Sequence, residues 1–225
     1  MTKTPLQNRV SPDGSITATP ARGSMFGNRG GRIHDPETKT LLSRRWASKH
    51  WICCVLSFKG RKRELMGESY TELFFLDEVT ALAAGHRPCF ECRRKDFVRF
   101  AAAWARAFDL AIPPRAGEMD KVLHEERLEH RAKRTYRREF SSLPDGAVIR
   151  EGDRFLAVRG KELLPWSFDG YGTGVTRPEA GEAEVLTPPA TLAVLKNDYL
   201  PQWHESASPA GESDEVTVRS SPKDP

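Results

Sequence analysis

The sequence predicts an α+β fold, in which a small antiparallel sheet and helices surround a cysteine-rich site and a small β-rich region follows. Short runs rich in apolar and β-branched residues at 51–58 and 70–76 predict strands. Between 77 and 140, apolar residues recur with helical spacing. After residue 141, short apolar runs alternate with Gly, Pro and Asp turn signals, a pattern typical of β structure.

The composition indicates a globular chain with polar attachments. Of its 225 residues, 38% are hydrophobic and 29% are charged, which suits one good-sized domain or two small ones. No apolar run approaches the ~20 residues of a membrane span, so we expect no membrane partner. The first residues lack the apolar region of a secretory signal, which favours the cytoplasm.

Positive charge is concentrated in the N-terminal part of the chain. The net charge is +4, yet residues 1–63 hold thirteen Lys and Arg and only three Asp and Glu. This asymmetry suggests a polyanionic partner, of which nucleic acid is the commonest and DNA the favoured form. The alternative is a solvated surface that is merely basic.

Changes in composition divide the chain into four parts. Residues 1–45 are predicted to form a basic arm rich in Gly, Pro and Arg, with little periodicity. Residues 46–140 form the predicted α+β module, and 141–204 the β-rich region. Residues 205–225, rich in acids, Ser and Pro, are predicted to be disordered.

The predicted helices follow the second strand. Asp77 is a suitable N-cap for a helix that ends before Gly85, a residue favoured after a helix C-terminus. A second, amphipathic helix follows Cys92. Its apolar face comprises Phe97, Phe100, Ala101, Trp104 and Phe108. A charged helix is predicted over 117–140.

In the β-rich region, strands are predicted at 147–149 and 155–158, around the turn residues Gly152 and Asp153. Further loop-rich β structure is predicted at 163–172. A short helix is predicted from Ala190 to Lys196, after a Pro-Pro pair.

The four cysteines form the most informative pattern. In a reducing compartment, a Cys-x-x-Cys pair such as Cys89 and Cys92 favours metal binding or redox chemistry over a disulfide. Two thiolates at this spacing can bind one Zn²⁺, and the strand at 51–58 offers Cys53 and Cys54 as further ligands. Adjacent strand residues point to opposite faces, so either a bulge brings both to the metal or only one ligates it. We take Cys54 to share the core-like face and leave His50 or His86 as a possible fourth ligand.

The stretch from Phe75 to Arg94, with its helix ending in Ala-Ala-Gly-His-Arg-Pro-Cys-Phe-Glu-Cys-Arg, resembles the zinc-binding domain of the Ada methylphosphotriester DNA repair proteins. Related motifs occur in small zinc modules of bacterial nucleases, and the whole chain is similar to a family of proteobacterial proteins. The resemblance implies one thiolate-bound zinc with upstream cysteine ligands on a strand, one of them a methyl acceptor. In Ada, three residues separate those cysteines, whereas Cys53 and Cys54 are adjacent.

Three functions follow as hypotheses. The first is a zinc-stabilised nucleic-acid-binding protein. The second is an enzyme that transfers an alkyl group from nucleic acid to a zinc-bound cysteine, and the third is a Cys-x-x-Cys redox module. The predicted nucleic-acid contacts are Arg22, Arg29, Arg32, Lys59, Arg61, Lys62, Arg63, Arg93, Arg94, Arg134, Arg137 and Arg138.

Overall fold

Two sheets enclose a short buried helix in the computed structural model of this chain, which describes residues 4–62 and 64–207. Within these ranges there are four helices and three sheets, which confirms the α+β class. The helices are α1 (Glu78–Ala83), α2 (Arg94–Ala107), α3 (Ala116–Arg127) and α4 (Pro189–Lys196).

The first sheet has six strands in the order β2-β1-β5-β3-β4-β6. The β1–β5 and β4–β6 pairs are parallel, and the others are antiparallel. The predicted strands at 51–58 and 70–76 appear as the shorter β4 and β5. The strands are β1 (Gln7–Val10), β2 (Ile16–Ala18), β3 (Met25–Arg29), β4 (Trp51–Val55), β5 (Leu73–Phe75) and β6 (Arg87–Pro88).

The segment predicted as a basic arm contributes three of these strands, with β3 between β5 and β4. The expectation of irregular structure is therefore wrong for Gln7–Val10, Ile16–Ala18 and Met25–Arg29, whereas residues 19–24 are irregular as expected. The glycine that suggested a loop has a different role, because a Cβ on Gly27 would lie 1.9 Å from the backbone oxygen of Ile52. Glycine thus permits the close approach of β3 and β4.

Helix α1 lies between the two sheets, and all six of its residues are buried. Ala81 packs in the core of the first sheet, whereas Val79 and Ala83 pack in the core of the second. Asp77 is the N-cap, as predicted, and its side chain accepts a hydrogen bond from the backbone N–H of Thr80 at 2.9 Å.

Helices α2, α3 and α4 share a third core, which contains Phe97, Phe100 and Trp104 as predicted. Phe108, predicted on the same face, is 44% exposed at the end of α2. The predicted helix at 117–140 ends at Arg127. The cation-rich residues after it form the hairpin β7 (Leu128–Glu129) and β8 (Ala132–Lys133) and the strand β9 (Tyr136–Glu139), because β9 pairs with a distant strand.

The second sheet confirms the predicted β structure after residue 141. Its order is β13-β12-β11-β10-β15-β9, with β14 also paired to β12. Its remaining strands are β10 (Val148–Glu151), β11 (Arg154–Arg159), β12 (Glu162–Ser167), β13 (Gly170–Tyr171), β14 (Val175–Thr176) and β15 (Glu182–Val185).

The regions predicted as 46–140 and 141–204 both contribute side chains to one hydrophobic cluster. Leu76 and Val79 belong to the same hydrophobic cluster as Val148 and Ala157. A domain boundary near 141 stays a prediction. Of the predicted tail, Glu205–Ala207 form one 3-10 turn, and 208–225 lie outside the described residues. None of the helices seen in residues 4–62 and 64–207 has the length and apolar character needed to cross a bilayer.

Candidate metal centre

Three cysteines from two separate parts of the chain converge. The parallel pairing of β4 with β6 places Cys53 opposite Pro88, and the backbone N–H of Cys89 extends this pairing by donating to the carbonyl of Cys53 at 2.9 Å. The Cys-x-x-Cys turn therefore begins beside β4, and it ends where α2 starts. The sulfur atoms of Cys54, Cys89 and Cys92 lie within 4.8 Å of one another.

This spacing suits a thiolate-bound metal ion. Zinc binds thiolate sulfur at about 2.3 Å in tetrahedral geometry, so two sulfurs on one zinc ion lie about 3.8 Å apart. Sulfur separations below 4.8 Å are compatible with such a site. Arg87, two residues before Cys89, attaches the turn to α3 by donating two hydrogen bonds to Asp120, at 2.9 and 2.7 Å. The three thiols could therefore hold a metal ion.

Cys53, also predicted as a ligand, lies on the opposite face of β4. It is 0% exposed in the core of the first sheet, and its sulfur accepts a hydrogen bond from Arg93 at 3.6 Å. Burial raises the pKa of the Cys53 thiol well above its usual range. Regular strand alternation, without a bulge, thus leaves Cys54 as the member of this pair that lies with the other two thiols.

Cys54, predicted to share a core-like face, is 4% exposed and packs with Phe26 and Cys89 in a small hydrophobic cluster, but the larger core of the first sheet lies on the Cys53 side of β4. Trp51 and Cys53 face the larger core, at 2% and 0% exposed, whereas Ile52, on the Cys54 side of the strand, is half-buried. The strand ends at Val55. Leu56 and Phe58, whose apolar character suggested the core face, follow the strand and carry no information about its faces.

Neither candidate histidine joins the thiols. His50 contacts the carboxylate of Asp120, with Nδ1 2.6 Å from Oδ2. His86 is buried against the rings of Trp51 and Phe75, at centroid distances of 5.0 and 4.7 Å. Its burial keeps the pKa of the imidazole well below its usual range. Among residues 4–62 and 64–207, the group that could hold a metal ion consists of three cysteines.

Hydrogen bonds within the cluster favour a negative charge on one sulfur. The thiols of Cys54 and Cys92 donate towards Cys89, and backbone N–H groups of the turn add to them, so the pKa of Cys89 falls below its usual range. The same contacts raise the pKa of Cys54. The cluster is thus prepared for one thiolate, and a cation would be needed to ionise all three.

A basic surface borders the cysteine cluster. Lys59, Arg61 and Lys62 are exposed in the loop after β4, and Arg94 is exposed at the start of α2. Arg61 joins the two segments by an ion pair with Glu91 of the Cys-x-x-Cys turn, at 2.6 Å. We call these four cations the thiol-side basic surface. Arg63, predicted to belong with them, lies outside the described residues.

Two aromatic rings lie among these cations. Phe90, 49% exposed, has the guanidinium carbon of Arg94 4.4 Å from its ring centre. Phe58 has Lys59 and Arg61 at 5.2 and 5.4 Å. Aromatic side chains interleaved with cations are typical of surfaces that bind single-stranded nucleic acid.

A row of side chains extends from the cluster across the outer face of the first sheet. Phe26 pairs with Cys54 on one side and Phe74 on the other, and Phe74 pairs with Arg9. Arg9 lies over the Phe74 ring at 4.9 Å. Burial and then the charge of the exposed Arg22 lower the pKa of Arg9. The sequence analysis did not predict this row. Its signal was the apolar pair Met25 and Phe26, in a segment that was interpreted as a loop.

The other predicted nucleic-acid contacts are scattered. Arg93 is 3% exposed and binds Glu78 and Asp96 at 2.7 and 2.8 Å. Arg29 is 2% exposed against Trp51. Arg93 is therefore unavailable to a surface ligand, and Arg29 lines a separate cavity that contains none of the clustered cysteines. The remaining four lie away from the cysteines: Arg32 pairs with Glu68, Arg137 with Glu182, Arg138 lies over Tyr136, and Arg134 follows the β7–β8 hairpin.

Comparison with known proteins identified no relative of this chain. No protein-family model, curated protein or solved structure matches the chain. The site must therefore be interpreted from its own chemistry.

Proposed function

We propose that this chain is a zinc-stabilised nucleic-acid-binding protein that contacts DNA through the thiol-side basic surface. The observation that carries the proposal is the convergence of Cys54, Cys89 and Cys92 within 4.8 Å. The exposed cations lie on the two segments that supply these thiols. A metal at the cluster would join those segments and thereby fix the surface.

Zinc is the metal that suits the ligands best. Thiolates favour soft or borderline ions, and zinc is the common structural ion in thiolate-rich sites. The Ada-like resemblance of residues 75–94 supports the same choice. Three protein ligands leave one zinc position for water or another exogenous group.

Nucleic acid is favoured over other polyanions by the mixture of side chains. Lys and Arg supply charge to phosphates, whereas Phe90 and Phe58 offer rings on which bases can stack. Arg9 and Arg22 add positive charge at the far end of the outer-face row.

The metal can be tested by comparing adjacent cysteines. We expect about one zinc per chain in the purified protein and a stoichiometry near zero in Cys54→Ser, because that substitution removes a ligand. We expect Cys53→Ser to retain zinc, because Cys53 faces the core. Inductively coupled plasma mass spectrometry measures the metal, and thermal unfolding with and without a chelator measures its contribution to stability.

Each contrary result has a distinct meaning. Full zinc content in Cys54→Ser would refute the proposed ligand set. A metal-free wild-type protein whose cysteines oxidise and reduce reversibly would favour the redox hypothesis. A gain of one methyl group on Cys54 after incubation with methylated DNA, detected by peptide mass spectrometry, would assign alkyl transfer instead.

Nucleic-acid binding can be tested by removing three exposed cations. We expect the Lys59→Ala/Lys62→Ala/Arg94→Ala variant to bind more weakly than wild type. In plots of log K against log salt, the slope should become less steep by about 0.7 to 0.9 for each phosphate that the variant no longer neutralises. Fluorescence anisotropy with single-stranded and duplex DNA and with RNA, over a series of salt concentrations, measures both quantities.

A matched control changes the same amount of charge elsewhere. The variant Lys121→Ala/Arg154→Ala/Lys161→Ala removes three exposed cations far from the thiols in sequence. It should bind nearly as wild type. Equal decreases in affinity in the two triple variants would show that only net charge matters, and an absence of binding at low salt would refute the proposal.

A further inference from the structure

A second cationic site lies away from the cysteine cluster. A cavity of about 380 Å³ opens where β3, the end of α3, the β7–β8 hairpin and β10 meet. The carboxylate of Asp13 lies there among six cationic side chains. We call this cavity the cationic pocket, and its cations are Arg29, Arg45, Arg127, Arg131, Lys133 and Arg150.

Two of these guanidinium groups are buried and form no ion pair with an acidic side chain among the described residues. Arg29 and Arg127 are 2% and 0% exposed, and their guanidinium carbons lie 4.1 and 3.9 Å from the Trp51 ring centre. They donate to backbone carbonyls, Arg29 to Gly14 at 2.8 Å and Arg127 to Gly85 at 3.0 Å. The Nε atom of each has no hydrogen-bond partner among the described residues. Buried charges without a counterion are costly, so this arrangement indicates an anion from outside the chain.

Lys133 adds to the uncompensated charge. Its ammonium donates to the carbonyl of Ala83, and burial together with the charges of Arg127 and Arg29 lowers its pKa to about 7. Burial likewise lowers the pKa of both buried arginines. Asp13 offsets only part of this charge: it favours the protonated forms of Arg29 and Lys133, but it is a single carboxylate among six cations, and its ion pair among the described residues is a 3.8 Å contact with Arg150.

We propose that the cationic pocket binds a phosphate monoester. A phosphate dianion matches the fork geometry of several guanidinium groups better than a halide does. Trp46 provides a half-buried aromatic wall beside Trp51, with ring centres 6.3 Å apart, on which a nucleobase can pack. The volume lies within the ~300–1,000 Å³ range of small-ligand sites.

The phosphate can come from two sources with the same chemistry. A free mononucleotide carries a phosphate monoester, and so does the 5′ end of a nucleic-acid strand. The pocket contains none of the three clustered cysteines and no member of the thiol-side basic surface. Binding in the pocket can therefore be tested separately from the function proposed above, because the two use different residues.

The test uses the full chain at constant ionic strength. Isothermal titration calorimetry and thermal unfolding are measured with inorganic phosphate, AMP, UMP, and a short oligonucleotide carrying either a 5′-phosphate or a 5′-hydroxyl, with chloride as the ionic control. The pocket variants are Arg131→Ala and Lys133→Gln. Arg131 is chosen because its side chain is exposed, so its removal leaves the core intact. Arg154→Ala and Lys161→Gln are the matched controls.

We expect saturable binding of the phosphate-bearing probes by wild type and both controls, and affinity at least about tenfold lower in each pocket variant. Binding of free nucleotides assigns a small-molecule ligand. Binding confined to the 5′-phosphorylated oligonucleotide assigns a strand terminus. The proposal is overturned if no phosphate-bearing probe saturates, if the 5′-hydroxyl oligonucleotide binds equally well, or if Arg131→Ala binds as wild type does.

Discussion

The side chain of Arg93 separates the two roles of the adjacent cysteines. It lies in the core, where it bonds to Cys53 and to the carboxylates of Glu78 and Asp96. Arg93, which directly follows the Cys-x-x-Cys turn, therefore makes its contacts on the Cys53 side of the sheet. The three clustered thiols lie on the opposite side. Removing Arg93 would leave Glu78 buried without a cation, so its importance is structural.

At the level of single residues, Lys133 predicts an unusual dependence of stability on pH. Its pKa of about 7 in the fold is below that of an unfolded lysine, about 10.4, so the folded state binds fewer protons in between. Without an anion, this group should make the free energy of unfolding rise from pH 7 towards pH 10, by at most about 1.4 kcal/mol per pH unit. Urea unfolding over this pH range measures it.

The charged groups around Lys133 define the control. Arg127, Arg29 and Arg150 oppose its protonation, and Asp13 favours it. In Lys133→Met the contribution between pH 7 and 10 should disappear, whereas Lys161→Met should keep it. Identical pH profiles for wild type and Lys133→Met would contradict the prediction.

At the level of elements, the N-cap residue of α1 connects this helix to other parts of the fold. The N-cap, Asp77, also accepts hydrogen bonds from the hydroxyl of Tyr171 at 2.9 Å and the backbone N–H of His204 at 3.0 Å. One carboxylate thus caps the helix and attaches both the second sheet and the last described segment to it. A six-residue helix is too short to be stable alone, so these contacts and its burial maintain it.

Asp77→Ala should therefore destabilise more than the removal of an ordinary cap. We expect about 2–4 kcal/mol, because cap removal costs about 1 kcal/mol and buried donors are also left without an acceptor. Chemical denaturation measures the change. Asp169→Ala, at an exposed turn, is the control and should change stability by less than about 0.5 kcal/mol. Similar destabilisation in the two variants would contradict this role of Asp77.

The elements that could be predicted from the sequence are those with a local signal. The N-cap at Asp77, the apolar face of α2 and the strands after residue 141 are set by nearby residues. Strands β1 to β3 could not be identified, because pairing with distant β4 and β5 stabilises them and their glycines resemble loop glycines. The strand β9 was likewise mistaken for helix.

In the candidate site, too, the residues with a local sequence signal could be predicted and those set by distant contacts could not. The spacing of Cys89 and Cys92 predicted two ligands directly. The third depended on where β4 ends, which only the fold reveals. The cationic pocket could not be foreseen, because Arg29, Arg127 and Lys133 come from three separate elements and none forms a motif.

At the level of the whole molecule, the shared cores predict a single unfolding transition. Helix α1 packs against both sheets, and α4 packs with α2 and α3. With metal kept saturating, urea should therefore expose 51–55 and 154–159 at the same midpoint. Pulsed hydrogen exchange with mass spectrometry measures both segments in one sample. Two separated midpoints would instead support independent domains near residue 141.

The closing of the core around Glu78 has a consequence for how the chain is made. Its carboxylate, 0% exposed, accepts hydrogen bonds from the hydroxyl of Tyr199 at 2.6 Å and the backbone N–H of Gln202 at 2.9 Å. A ribosome must therefore release almost the entire described chain before this acid and Arg93 acquire their full set of neighbours. Until then the hydrophobic core of the nascent chain is incomplete, and its apolar side chains would be exposed to molecular chaperones.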